Sequence, residues 1–143
     1  MRFNATFRST FPVDAEAHPQ GKELADFLAE RLSRQGIRVF RVVNHDDFAW
    51  MIETGTKGGG PFALIGYVGD DDFEWLLQIH SGVGILRRLL GVSDVDLREA
   101  LARGIHRILA EDQRFSSVRW HEGQFSEFGW SPLPDPQDGN TTA

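Results

Sequence analysis

Two histidines and an arginine have side chains suited to catalysis: His80, His121 and Arg119. An imidazole titrates near neutral pH and can take or give a proton, while a guanidinium can neutralise a phosphodiester oxygen. Arg119 and His121 are two residues apart in the run Phe115 to His121, which reads as a strand, so they share a face, and Glu122 follows them. That set would equip a small hydrolase or nuclease. No motif ties His80 to the other two, however, and His106 falls beside core positions of a helical segment.

Five aspartates form a second constellation: Asp46 and Asp47, then Asp70, Asp71 and Asp72. Carboxylates suit calcium or magnesium, but neither run has the spacing of an EF-hand loop. Aspartate is also ordinary turn chemistry. The first reading is therefore structural or solvated turns, and the functional one is attraction of a basic protein partner rather than a metal. The run Gly58, Gly59, Gly60 lacks the Lys and Ser or Thr of a phosphate-binding loop, and Pro61 leads into a strand, so it reads as a turn. Gly82 and Gly84, ahead of Arg87 and Arg88, read as a bend between strand and helix.

The composition sets outer limits. A chain of 143 residues with 41% hydrophobic and 25% charged side chains fits one globular core. It has no cysteine, which removes thiolate chemistry and sulfur-ligated zinc and fits a reducing compartment. The N-terminus alternates polar and apolar residues, and no apolar run approaches the roughly 20 residues of a membrane helix, so a cytoplasmic location is expected. The formal net charge of −6 disfavours nucleic-acid binding. Residues 44 to 75 alone sum to −6, so the acidity is local.

The elements that must position these groups follow from periodicity. Phe3, Ala5, Phe7 and Phe11 alternate with polar residues up to Pro12, as in a half-buried strand. Leu24, Phe27, Leu28 and Leu32 recur at helical spacing between about residues 20 and 35, and Gly36 stands where a helix would stop. Four β-branched or aromatic runs follow, 37 to 43, 48 to 54, 62 to 68 and 73 to 80, separated by the aspartate turns and the glycine loop. A short apolar segment, 85 to 90, precedes a second long helix with Leu97, Leu101, Ile105, Ile108 and Leu109 on one face. Ser93 and Asp96 resemble a capping box at its start. The order is β-α-β-β-β-β-α-β, an α+β two-layer sandwich: an antiparallel meander with both helices on one face. The domain spans residues 1 to 130, and 131 to 143 read as a disordered, proline-rich tail.

Alternate turns of a meander fall at one end of the sheet, which brings the two aspartate runs together and sends the glycine loop, Arg87 and Arg88 to the other end. Phe73, Trp75, Leu77 and Ile79 belong under the helices, as does Trp50. Ala49, Met51, Ala63, Ile65, Tyr67 and Leu76 are assigned to the second face, which is then unusually apolar. The segment with Phe125, Phe128 and Trp130 would fold back over it or offer an aromatic anchor.

The segments FRSTFP, HPQGKELADFLAERL, DDFAW and SSVRW with its preceding helix resemble small uncharacterised bacterial α+β proteins over about residues 1 to 130. Such small acidic proteins are similar, as a class, to the immunity proteins that neutralise bacterial toxins, and the resemblance carries no catalytic signature. The localised acidity, the missing catalytic motifs and the apolar open face lead to the expectation of a non-catalytic protein-binding module, of the immunity or adaptor type by that likeness of class. A basic protein partner would bind at Asp46, Asp47, Asp70, Asp71 and Asp72 or on the open face, with Tyr67 and Trp130 as aromatic contacts. The alternatives are the hydrolase or nuclease on His80, His121 and Arg119, and a homodimer joined through the open face around a small ligand near Tyr67 and His80. No cofactor, nucleic acid or membrane is expected.

Overall fold

The computed structural model describes residues 1–14, 16–123 and 134–137. The alternating N-terminal residues form β1 (Asn4–Ser9), with Ala5 and Phe7 fully buried. Leucines at helical spacing form α1 (Lys22–Arg34). It stops at Gly36, whose φ of 86° lets the Gly36 and Ile37 amides donate back to the Ser33 and Leu32 carbonyls. Then come β2 (Val39–His45), β3 (Ala49–Thr54), a 3-10 turn (Thr56–Gly58), β4 (Phe62–Tyr67) and β5 (Trp75–His80). A short helix, α2 (Ile85–Leu89), precedes α3 (Val95–Glu111) and β6 (Phe115–His121).

Among the described residues the fold is therefore α+β, with three helices and one six-stranded antiparallel sheet in the order β2-β3-β4-β5-β1-β6. Strands β2 to β5 form the expected meander. The N-terminal strand sits inside the sheet, paired with β5 on one side and β6 on the other. Leu24, Leu28 and Leu32 of α1 and Leu101, Ile105 and Leu109 of α3 meet Ile52, Ile65, Trp75, Leu77 and Trp120 in one core. Full burial of such a side chain is worth about 1.5–3 kcal/mol, so this core dictates which face of each strand turns inward.

That constraint corrects the assignment of β4. Its ladder pairs Ile52 with Ala63 and Ile65 with Leu77, which puts Ala63 and Ile65 in the core, and Tyr67 packs edge-on against Trp75 at 5.1 Å. Phe62, Leu64 and Gly66 occupy the open face instead. The cause is the glycine loop: after the 3-10 turn, the Gly60 amide donates to the Thr54 carbonyl and the Thr54 hydroxyl donates to Pro61, so pairing resumes with Phe62 opposite Glu53. A slip of one residue turns every side chain over.

Three further expectations shift. Leu97 is 61% exposed, because α3 begins only at Val95 and its buried stripe starts at Leu101. Asp94 stands at the N-cap, and its carboxylate accepts from the Ser81 hydroxyl at 2.6 Å and the Gly82 amide at 2.8 Å, tying α3 to the exit of β5. Within the expected tail, residues 134–137 lie against the domain: Pro136 is buried and its carbonyl accepts from the Arg2 amide at 2.8 Å.

Candidate functional site

The β2–β3 and β4–β5 turns lie at one end of the sheet, as strand order requires. Asp46 and Asp47 take left-handed φ values of 51° and 62°, which aspartate tolerates, and the Asn44 side chain bonds both the Asp47 amide and its carboxylate. Asp70 accepts from the Asp72 amide at 3.2 Å. Local turn chemistry thus accounts for Asp46, Asp47 and Asp70, but not for Asp71 or Asp72. All five aspartates are exposed, and among the described residues none is ion-paired to Lys or Arg. The Arg8 guanidinium reaches this end, where it donates to the Asp71 backbone carbonyl. Phe48, 61% exposed, belongs to the first of these turns, and Val68, 43% exposed, begins the second.

Tyr67 lies at the same end on the core side of the sheet, half-buried against Trp75, which takes it off the open face. Trp130 is outside the described residues, as are Phe125 and Phe128.

The histidines fall elsewhere. Asn4 pairs across the sheet with both Gln78 and His121, which places His80 one row beyond on the same open face. Two strand spacings and two residue rises put the Cα atoms of His80 and His121 about 12 Å apart. Both line one recess of about 360 Å³, together with Asn4, Gln78, Arg2 and Arg98. Arg119 does not line it, being two residues back along β6 and opposite Thr6. Each ring is held: His121 Nε2 lies 2.8 Å from the Thr6 hydroxyl, and His80 stacks on Phe62 at 5.2 Å. Arg98 is held too, donating twice to the Ile79 carbonyl and lying over the Phe3 ring at 3.8 Å. Arg2 is 6% exposed and pairs with Glu122 at 2.9 Å. Arg2 and Arg98 were not singled out from sequence. The alternation Arg2, Phe3, Asn4 is the signal that could have placed Arg2 on this face.

Burial pushes the pKa values of His80, His106 and His121 below the ordinary value. The positive charge of Arg98 adds to the effect at His80, and those of Arg119 and Arg2 at His121, whereas Asp135 opposes it at His106. The recess therefore presents neutral imidazoles at pH 7. In the unfolded chain each histidine gains a proton below about pH 6.5, before its folded counterpart does. The unfolded state then binds more protons, so stability falls as pH drops from about 7 to 5. The urea midpoint should decrease between pH 7.5 and 5.5, and less steeply in His121→Gln; equal midpoints in the parent protein would contradict this. Asp112, held to about 2 by its hydrogen bonds from Arg114, contributes only at lower pH and leaves this window clear.

A third feature lies at the opposite end of the sheet. Every residue of α2 is exposed; Ile85, Leu86, Leu89 and Leu90 are 76–82% exposed, and Val92, Val95 and Leu97, which follow in the chain, are exposed too. Leaving the first four in water forgoes roughly 6–12 kcal/mol of burial, a large sum for a domain of this size. The signal was present, because ILRRLL has no charge except two adjacent arginines and is too short to span from one core contact to another.

Among the described residues, no helix is long and apolar enough to cross a membrane, and no group of three or more His, Asp or Glu side chains is placed to hold a metal ion. No protein-family model, curated protein or solved structure matches the chain.

Proposed function

We propose that the chain is a non-catalytic protein-binding module of the immunity or adaptor type, whose acidic end takes a basic protein partner. The observation that supports this most is that Phe48, an exposed aromatic residue, stands in the turn of Asp46 and Asp47, at the same end of the sheet as Asp70, Asp71 and Asp72, and that these five exposed aspartates have no Lys or Arg ion pair among the described residues. Energetic anchors at interfaces are often aromatic, and a ring of like charge steers an oppositely charged partner and speeds encounter. Hydrogen bonds within the turns engage the Asp47 and Asp70 carboxylates without neutralising them.

The test is capture of a basic protein from a cell extract on the immobilised chain, at low and high salt. Replacing Asp70, Asp71 and Asp72 together by lysine should slow association at low salt by about tenfold or more, since steering depends on charge. Phe48→Ala should weaken the same complex by roughly fivefold or more, mainly through faster dissociation. These residues are exposed, so circular dichroism should show unchanged folding. A partner held equally well by the triple variant would remove the acidic end from the function.

A further inference from the structure

We infer that residues 85–97, at the end of the domain away from the aspartate turns, form the contact through which two copies of this chain associate. Ile85, Leu86, Leu89 and Leu90 are each at least 76% exposed, and Val92, Val95 and Leu97, the next large apolar residues along the chain, are exposed as well. Monomers seldom leave so continuous an apolar patch in water.

Size, charge and position each favour a second copy. These side chains offer on the order of 400–600 Å² of apolar surface, close to the apolar share of a homodimer contact that buries about 800 Å² per partner. The patch is uniform, so one copy can present the same surface to another across a two-fold axis. The charged residues within and beside this stretch carry both signs, Arg87, Arg88 and Arg98 with Asp94 and Asp96, although the whole chain carries −6. This end therefore does not repel its own copy, and the exposed Arg87 and Arg88 can meet Asp96 of the other chain. An anionic lipid surface fits less well, because only two exposed arginines flank the apolar residues and the chain is strongly acidic. Association here leaves both aspartate ends pointing outward, away from each other and free for separate partners.

The absence of cysteine makes a direct test simple. By sedimentation or light scattering, the chain should show twice its 16.1 kDa mass with rising concentration. Leu86→Glu with Leu89→Glu should weaken association by about 100-fold or more and leave a monomer, with the circular dichroism spectrum and urea midpoint showing that it still folds. Leu89→Cys should form a disulfide-linked dimer under mild oxidation much faster than Asp71→Cys at the other end. A parent chain that stays monomeric at its highest soluble concentration would overturn the inference. So would a dimer that survives the double replacement, or Leu89→Cys linking no faster than Asp71→Cys. Vesicle binding by a monomeric parent chain would assign the patch to lipid. The mass measurements and the Leu86→Glu, Leu89→Glu variant do not involve the acidic end, so this inference and the proposed function fail separately.

Discussion

Trp120→Ala is expected to lose about 3–5 kcal/mol of stability, the usual cost of removing a large buried aromatic side chain. Trp120 is fully buried on β6, opposite Ala5 of β1, and its indole N–H donates to His106 Nδ1 at 3.2 Å. The replacement opens a cavity where β6 meets α3 and leaves the histidine nitrogen without this donor. The same strand carries His121 to the open face, so loosening β6 should also disturb the recess. Trp120→Phe keeps most of the volume but not the N–H, and should cost less. Urea denaturation checks the ranking, and an alanine variant within 1 kcal/mol of the parent would show that the sheet does not rely on this contact.

Gly82→Ala is expected to cost on the order of 3 kcal/mol, at the upper end of overpacking penalties. A Cβ atom at Gly82 would stand 2.0 Å from the Gly60 carbonyl oxygen and 2.6 Å from its carbon. Both are backbone atoms, so relief requires the glycine loop or the exit of β5 to move. The Gly82 amide also donates to Asp94, so movement here would pull on the start of α3 and on the α2 surface between them. Gly84→Ala is the control, because a Cβ there meets nothing within 4 Å. It should change stability by no more than about 0.5 kcal/mol. Similar midpoints for the two variants would contradict the close approach of the loops.

These two positions differ in how far sequence alone could reach. Trp120 could be recognised as a strand residue, but its burial depended on α3 lying over β6. Gly82 looked like a bend, and nothing in SGVGILRR says that it touches Gly60, because that contact joins two loops with β4 and β5 between them. Likewise the shared recess of His80 and His121 exists only because β1 enters the sheet between β5 and β6. Pairing between strands so distant in sequence follows from how the core closes, and no local residue pattern records it.

What the sequence determined by itself was the kind and order of the main elements and the end at which the aspartates gather. Helical and alternating periods are local, and in a meander strand order follows from short turns. The tertiary structure decided the rest: which face of β4 turns inward, which arginines line the histidine recess, and that Ile85, Leu86, Leu89 and Leu90 face water. Each of those outcomes depends on what lies across the sheet or over a helix. Apolar residues enter a core only where a neighbouring surface receives them, and α2 has none among the described residues.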